Sequence, residues 1–306
     1  MTIIQDLGIY QNNHLWMKRE DLIPFSFGGN KARKAQLFFK EIDECGYNAV
    51  VTYGSGSSNH CRVIANLCRQ RGIDCHIISP LEASEETYNS ALIELLGARV
   101  TTVPVSIVHE TIEKKLIELR KLGEKPYFIE GGGHGNIGTE AYVQCYQEIR
   151  KQERELSTFF DYIFFATGTG TTQAGLVCGQ LINGDRRTII GISIARKNPY
   201  GREVVLNSIR EYLGDRASEA QIQEATNFVD DYTGGGYGKD MPAISLTIDE
   251  AFMQYGIPLD MTYTGKAFMG MREYIKANKL TAQNILFIHT GGTPLFFDRL
   301  RKGKSV

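Results

Sequence analysis

A glycine- and threonine-rich segment, FATGTGTTQAG (Phe165–Gly175), has the composition of an anion-binding loop. An apolar stretch runs into it, and a helical pattern begins near Thr172. Backbone N–H groups at a helix N-terminus bind anions, and threonine hydroxyls add donors. The dinucleotide fingerprint fails because Gln173 replaces its third glycine, and a P-loop fails because Leu176 stands where lysine is required. The segment therefore favours the phosphate monoester of a small cofactor over a plain strand–turn–helix connection.

Two lysines follow a pair of glycines in SFGGNKARK (Ser26–Lys34). Lys31 lies near a predicted helix N-terminus, where its charge opposes the helix dipole, so a purely structural explanation is weakened. A lysine whose pKa is lowered by burial or by neighbouring cations can form a Schiff base. Lys34, three residues on, lies on the same helical face and could contact a phosphate. Taken alone, each lysine is more often a solvated surface residue.

A third cluster, GSGSSNHCR (Gly54–Arg62), directly follows a predicted strand. Its small hydroxyls, Asn59 and His60 would suit a carboxylate or a ring hydroxyl, although Asn59 alone is also a typical helix N-cap. The serine-hydrolase motif G-x-S-x-G fails because Asn59 replaces its second glycine. The cysteine and histidine spacings miss the zinc patterns, so no metal site is predicted.

Two further loops are dense in glycine, Gly131–Gly135 (GGGHG) and Gly234–Gly238 (GGGYG). Turn geometry at positive φ explains such loops when they are taken alone. Each nevertheless falls beside the end of a predicted element, where ligand loops lie in parallel sheets. Tyr237 in the second loop and Tyr263 before TGK are therefore candidate site residues.

The elements that must position these residues are short apolar runs alternating with amphipathic stretches. The predicted buried strands are Asn48–Tyr53, Cys75–Ser79, Arg99–Val103, Tyr127–Ile129, Tyr162–Ala166, Thr188–Ile194 and Ile285–His289. Between them, apolar residues recur at three- and four-residue spacing, as before Gly46 and Gly123, which predicts helices. Strands that alternate with helices imply right-handed crossovers and a largely parallel sheet. The sequence therefore predicts an α/β fold.

Composition narrows the function. The 306 residues suffice for one or two domains, and 34 basic against 35 acidic side chains give a net charge of −1, which argues against a nucleic-acid binder. The N-terminus shows no secretory signal pattern, and no apolar run has the length of a membrane span. The six cysteines form no C-x-x-C pair. These features predict a cytoplasmic enzyme with reduced thiols that acts on a small molecule.

Six motifs in a fixed order carry a family resemblance: GGNKARK, GSGSSNHCR, TGTTQAG, GYG, YTGKA and HTGG. From about Lys18 to about Phe296, the chain resembles the pyridoxal-phosphate enzymes of the tryptophan-synthase-β fold (fold type II). Within them it is similar to the branch of D-cysteine desulfhydrase and 1-aminocyclopropane-1-carboxylate deaminase. The resemblance implies a homodimer with two α/β domains per chain, a smaller one at residues 45–150 and a larger, cofactor-binding one at 1–44 and 151–306.

The resemblance also implies a role for each motif residue. Lys31 would form the Schiff base with pyridoxal phosphate and, once released, act as acid and base. Asn59 would bond the ring hydroxyl, and Thr290 would face the pyridine nitrogen. The phosphate would be held by Lys34, Gly168, Thr169, Gly170, Thr171 and Thr172. The substrate would be bound by Ser58, Asn59, His60, Tyr237 and Tyr263, of which Ser58 and the two tyrosines would also take part in catalysis.

The implied reaction is α-proton abstraction and β-elimination from a small amino acid, which yields a keto acid and ammonia. The cyclopropane deaminases carry glutamate after the second tyrosine and leucine in the last motif, whereas this chain has Thr264 and Thr290, the desulfhydrase-like choice. Cyclopropane opening, β-replacement by a second nucleophile, and a non-catalytic phosphate-ligand binding protein of the same fold are the alternatives.

Two segments depart from the family pattern. The first, Ser79–Tyr88, is short and lacks the usual Glu-Asn. The second is the glycine-rich turn, which here reads GGGHGN (residues 131–136) and follows Glu130. This turn brings His134 and Asn136 toward the site. These segments lie where the family holds substrate side chains. We therefore hypothesise that the substrate is an amino acid other than D-cysteine or the cyclopropane acid, with a larger or more polar β-substituent.

Overall fold

The computed structural model describes residues 1–233 and 241–302, so Tyr237 lies outside the described residues. The strands are β1 (Ile4–Tyr10), β2 (Asn13–Arg19), β3 (Ala49–Tyr53), β4 (Asp74–Pro80), β5 (Arg99–Val103), β6 (Pro126–Ile129), β7 (Tyr162–Thr167), β8 (Thr188–Ser193), β9 (Asn227–Val229) and β10 (Asn284–His289). The helices are α1 (Asn30–Cys45), α2 (Asn59–Arg71), α3 (Tyr88–Leu95), α4 (Val108–Lys121), α5 (Asn136–Leu156), α6 (Thr171–Asn183), α7 (Tyr200–Leu213), α8 (Glu219–Ala225), α9 (Pro242–Tyr255), α10 (Thr264–Ala277) and α11 (Thr293–Lys302).

These strands form two sheets. The larger has the order β1-β2-β10-β7-β8-β9, and the smaller has the order β5-β4-β3-β6. Every neighbouring pair is parallel except β1 and β2, which form an antiparallel hairpin. The α/β expectation is therefore confirmed, with the hairpin as an antiparallel edge that the sequence analysis did not predict.

Both sheets are covered on both faces by helices. In β7 the alternation of side chains places Phe165 in the core beneath α5 and α6, and its neighbour Phe164 in the core beneath α9 and α10. In β3, Val50 likewise packs toward α1 and α2, while Val51 packs toward α4. This double burial explains why the inner strands read as continuous apolar runs. A strand forms at Arg99–Val103, but the prediction that it is buried is wrong, because β5 is the exposed edge of the smaller sheet.

The packing of helices α1 and α5 indicates which of the two sheets each helix belongs to. Helix α1 belongs to the core of the smaller sheet, where Phe39 and Ile42 pack with residues of α2. Helix α5 instead packs on α6 in the core of the larger sheet, with Tyr142 and Tyr146 fully buried there. The division at residues 45 and 150 stays a prediction, and this packing favours placing α1 with the smaller unit and α5 with the larger.

The parallel strands bring the candidate residues together. The strands β3, β6, β7, β8 and β10 are followed directly by the segments that begin at Gly54, Glu130, Gly168, Ile194 and Thr290. Because ligands in open α/β sheets bind beyond the carboxyl ends of the strands, this edge is where a site is expected. Within the described ranges, no helix has the length and apolar character needed to cross a membrane.

Candidate active site

A cavity of about 350 Å³ lies where the carboxyl ends of the two sheets face each other. From the first half of the chain it is lined by the predicted residues Lys31, Ser58, Asn59 and His60. From the second half it is lined by the predicted residues Gly168, Thr169, Gly170, Thr172, Tyr263 and Thr290. The structure thus brings most of the predicted site together, although these residues are far apart in sequence.

Lys31 reaches the cavity from the first turn of α1. The start of this helix is fixed to the last motif because the N–H of Asn30 donates to the carbonyl of Thr290 at 2.9 Å. Gly29 permits this approach: its φ is +94°, and a Cβ there would lie 2.7 Å from the same carbonyl oxygen. The Nζ of Lys31 donates to the carbonyl of Gly132 at 2.9 Å. Burial lowers the pKa of Lys31 to about 8, so a reactive neutral amine is accessible near neutral pH.

Lys34 lies one turn later on α1 and is fully buried, but it does not line the cavity. Its Nζ is 3.4 Å from the carbonyl of Gly132, the group that also accepts from Lys31. Burial, and then the charge of Lys31, hold the pKa of Lys34 well below the usual lysine value. Its contact with a phosphate stays a prediction.

The glycine turn after β6 supports both lysines. Gly132 has a φ of +75°, and a Cβ there would lie 2.8 Å from Cγ2 of Thr169 and 3.1 Å from Nζ of Lys31. The turn therefore needs glycine for a close approach as well as for its backbone conformation. Gly135 also has a positive φ of +97°, but a Cβ there would meet nothing within 4 Å.

The segment between β3 and α2 is held by a helix cap. Ser58 is the N-cap of α2, and its Oγ accepts from the N–H of Cys61 at 3.1 Å. The alternative in which Asn59 is the cap is therefore wrong: Asn59 is the first helical residue and its side chain is available to the cavity. The cap uses the N–H of Cys61, so the N–H groups of Asn59 and His60 are the first-turn candidates to donate to an anion.

The orientation of the Asn59 amide is fixed by its neighbours. Nδ2 of the fully buried Asn89 donates to the carbonyl of Ser57 and to Oδ1 of Asn59, both at 2.9 Å. Because a carbonyl only accepts, the Ser57 contact determines which end of Asn89 is the NH₂ group. Arg62, which only donates, also contacts Oδ1 of Asn59 at 3.3 Å. Both contacts leave Nδ2 of Asn59 as the donor for the cavity.

The hydrogen bonds around His60 determine which of its ring nitrogens carries the hydrogen. The hydroxyl of Thr52 donates to the carbonyl of Ile129 at 2.7 Å, so it must accept from Nε2 of His60 at 2.9 Å. Burial, and then the charges of Lys31 and Lys34, hold the pKa of His60 well below its usual value. The ring is therefore neutral, with its hydrogen on Nε2, and it has no N–H left to donate to a carboxylate. A substrate carboxylate would instead be bound by the backbone of this helix N-terminus.

The segment between β7 and α6 has the form of an anion cradle. Gly170 precedes α6 with a φ of +97° and supplies no side-chain cap, so the first N–H groups of the helix are open to a ligand. The Oγ1 of Thr172 accepts from Nδ2 of Asn30 at 3.1 Å, which links the cradle to α1. Thr171 is buried and does not line the cavity, and its Oγ1 has no hydrogen-bond partner among the described residues.

Tyr263 is presented by a turn built around the fully buried Asp260. The carboxylate of Asp260 accepts from the N–H groups of Thr262, Tyr263 and Thr264, each at 2.9 Å. The Oγ1 of Thr264 also donates to it at 2.7 Å. Thr264 is fully buried and does not line the cavity, so its side chain builds the turn that aims Tyr263.

Two large side chains that line the cavity, Tyr53 and Arg196, were not predicted from the sequence. Tyr53 is the last residue of β3, and Arg196 lies three residues after the end of β8. The available signal was position: both lie at the carboxyl ends of inner parallel strands, where ligand-binding loops begin. Neither belongs to a motif that was recognisable on its own.

Comparison with known proteins agrees with this geometry. Residues 4–291 match a protein-family profile described as pyridoxal-phosphate dependent enzyme. A D-cysteine desulfhydrase of Yersinia enterocolitica is 31% identical over 95% of this chain and 90% of its own length. A 1-aminocyclopropane-1-carboxylate deaminase of a Methylobacterium species is 30% identical over 92% of this chain and 87% of its own. The crystal structure of an ACC deaminase homologue, 29% identical, superposes with a TM-score of 0.86 and covers 98% of this chain and 93% of that one.

Proposed function

The chain belongs to the pyridoxal-phosphate dependent enzymes, and we propose that it is a lyase that removes a β-substituent and the amino group from a small amino acid. The products would be a keto acid and ammonia. The observation that carries this proposal is a half-buried amine with a lowered pKa, Lys31, that lines a cavity beside the N-terminus of α6, where an anion would bind. The similarity to a D-cysteine desulfhydrase and to a cyclopropane deaminase supports the same class of reaction.

The residues present fit pyridoxal phosphate. The phosphate would lie at the N-terminus of α6, between Gly168 and Thr172, where no side chain of the described residues caps the helix. The Nδ2 of Asn59 would donate to the ring hydroxyl, and the hydroxyl of Thr290 would face the pyridine nitrogen. When bound, the cofactor supplies an aldehyde that condenses with an amine and a ring that accepts electrons.

The chain's own groups would perform the proton chemistry. Lys31, once its amine is neutral and free, is positioned to take the α-proton of the substrate at Nζ. The first-turn N–H groups of α2 would hold the substrate carboxylate. A neutral hydroxyl at Thr290, in place of an acid, would leave the pyridine nitrogen unprotonated, which favours elimination over transamination.

The loading of the cofactor should follow the ionisation of Lys31. Its pKa is lowered from 10.5 to about 8, and only the neutral amine condenses with an aldehyde. We therefore expect the rate at which apoprotein gains visible absorption to rise with pH and level off above about 8. Stopped-flow absorbance over a range of pH measures this rate. A rate that keeps rising toward pH 10.5, the value of an ordinary lysine, would contradict the assignment.

Replacing Asn89 should disturb the cofactor through Asn59. In the Asn89→Ala protein, Oδ1 of Asn59 loses a buried hydrogen bond, and the amide is free to turn. We expect kcat/KM to fall about tenfold, with a shift of the visible absorption maximum, since one buried hydrogen bond is worth about 1–3 kcal/mol. Asn66→Ala, on α2 but away from the cavity lining, is the control. An unshifted spectrum together with reduced activity would show that Asn89 acts only on stability.

A methyl group at Gly132 should block the approach of Lys31. The Gly132→Ala protein must displace either Thr169 or the lysine amine, so we expect the affinity for pyridoxal phosphate to fall at least about tenfold. Gly135→Ala also places alanine at a positive φ, but without these contacts, and should keep its affinity. Titration of both apoproteins with the cofactor compares them. Equal losses would mean that only backbone conformation matters in this turn.

The direct test of the function is a substrate panel. Holoenzyme would be incubated with D- and L-amino acids that carry β-leaving groups and with the cyclopropane acid, and keto acid and ammonia would be measured together. Equal release of both from a leaving-group substrate supports the lyase. Faster turnover of the cyclopropane acid would redirect the proposal to ring opening, and a spectral change without products would redirect it to β-replacement.

The proposal includes a homodimer that works in the cytoplasm. Its support is the family resemblance for the dimer and, for the location, cysteines of which five are buried and none is paired in a disulfide. Light scattering of the purified holoenzyme and localisation of a tagged chain test the two parts separately.

A further inference from the structure

Arg196 brings a positive charge to the cavity. It lies in the loop after β8 and lines the same cavity as Lys31. Its Nη1 is buried and has no hydrogen-bond partner among the described residues. The guanidinium packs over the ring of Tyr200, with its Cζ 5.5 Å from the ring centroid. That contact holds the group without neutralising it.

An arginine in this state needs an anion. Its guanidinium stays protonated in proteins, and a buried charged donor without a partner is costly. Among the residues that line the described part of the cavity, none is an aspartate or glutamate. The backbone of Arg196 is nevertheless held firmly, because its carbonyl accepts from Oγ of Ser193 at 2.6 Å. The group is therefore placed for a ligand that arrives from outside.

The two anions already expected in the cavity have sites of their own. The cofactor phosphate has the uncapped N-terminus of α6, and the substrate α-carboxylate has the N-terminus of α2. Arg196 belongs to neither helix. It is therefore a third candidate anion-binding group, in a cavity where the phosphate and the α-carboxylate already have proposed binding sites.

The groups whose pKa values are affected by the charge of Arg196 lie on the side of the smaller sheet. Burial and Glu130 raise the pKa of Tyr53, and the charge of Arg196 opposes that shift. Burial lowers the pKa of His134, Glu130 opposes this, and the charges of Lys34 and Arg196 add to the lowering. Tyr53 ends β3 and His134 lies in the turn after β6, on the side of the cavity where the proposed carboxylate site lies.

We propose that Arg196 binds a second anionic group on the substrate. The enzyme would then act on a small α-amino acid whose β-substituent is an anionic ester group, such as a phosphate ester. This inference rests on the proposed lyase function. The cavity of about 350 Å³ restricts the substrate to a small one once the cofactor is in place. Arg196 would bind the leaving group and stabilise the negative charge that it carries away.

The reaction balances with O-phosphoserine as the example. The α-proton passes to Nζ of Lys31, and the Cβ–O bond breaks with its electron pair leaving on the phosphate. One water then hydrolyses the unsaturated amine that remains. The net change is O-phosphoserine and water to pyruvate, ammonia and phosphate, with no oxidant or reductant.

The experiment compares two substrates on the unaltered enzyme and three variants. Holoenzyme is assayed with O-phosphoserine and with β-chloroalanine, whose leaving group is uncharged before elimination, each as both enantiomers. In Arg196→Gln we expect the ratio of kcat/KM for O-phosphoserine over β-chloroalanine to fall at least about tenfold, the range for a hydrogen bond to a charged group. Arg186→Gln, a matched change at an exposed arginine, should leave the ratio unchanged. Arg196→Lys should restore part of the ratio.

Each other outcome has a distinct meaning. An equal loss on both substrates, or a weaker affinity for pyridoxal phosphate in Arg196→Gln, would overturn the inference by assigning Arg196 to the cofactor. Turnover of β-chloroalanine without turnover of O-phosphoserine by the unaltered enzyme would also overturn it. Failure with every leaving-group substrate would instead defeat the proposed lyase function. If Arg196→Gln does not fold, inhibition of the unaltered enzyme decides: succinate should bind at least about tenfold more tightly than butyrate, and equal binding contradicts the inference.

Discussion

The Lys31→Ala protein is expected to lack the visible absorption of the holoenzyme and to lose about 10³-fold or more in kcat/KM. The substitution removes both the amine that condenses with the cofactor and the proposed acid–base group, and general acid–base catalysis alone is worth about 10²–10⁴-fold. Absorbance after reconstitution and keto acid release measure the two effects. Lys40→Ala is the matched control, since Lys40 lies on the same helix with its side chain 71% exposed.

The reason for so large an effect is the position of the amine. Lys31 is half-buried and lines the cavity, its pKa is about 8, and the fully buried Lys34 of α1 does not line the cavity. A neighbouring lysine is therefore not placed to substitute for it. A Lys31→Ala protein that keeps both its colour and its activity would remove the basis of the proposed function.

The second large effect is expected on stability, from a buried carboxylate beneath the start of α1. Glu20 is fully buried and accepts from the hydroxyl of Thr2 at 2.6 Å and from Nη2 of Arg33 at 2.7 Å. Arg33 also contacts Glu148 at 3.1 Å. Replacing Glu20 by alanine leaves Arg33 with a single carboxylate in a largely buried setting. We expect a loss of about 3–5 kcal/mol in the free energy of unfolding, measured by urea denaturation.

An exposed ion pair provides the comparison. Glu219 accepts from Arg210 at 2.7 Å at the surface, so Glu219→Ala should leave the urea midpoint nearly unchanged. Equal shifts in the two variants would show that burial does not govern the Glu20 cluster. Because Arg33 lies two residues after Lys31 on α1, we also expect Glu20→Ala to weaken cofactor binding.

Much of the architecture could be predicted because it depends on local patterns. The apolar run at Tyr162–Ala166 and the stop at Gly46 report strand burial and helix termination directly, and the structure has β7 and the end of α1 at these places. The hairpin of β1 and β2 was missed for a related reason. Its turn uses Gln11 and Asn12 at positive φ in place of glycine, so it carried no strong turn signal.

The candidate site was predictable only in part, since several of its features are set by distant contacts. The recognisable motifs supplied Lys31 and the loop before α6. The donor end of Asn59 depends on Asn89, thirty residues away, through a bond that spacing cannot reveal. The burial of Thr264 against Asp260 likewise emerges only from the packed structure. So does the buried Nη1 of Arg196, which has no hydrogen-bond partner among the described residues.

The proposed function requires that the amine of Lys31 carries the cofactor. Holoenzyme would be reduced with borohydride, digested, and mapped by mass spectrometry. We predict a pyridoxyl phosphate adduct on the peptide that contains Lys31, with loss of the visible band. An adduct on Lys34 or on any other lysine in its place, or no retained adduct after full reconstitution, would contradict it.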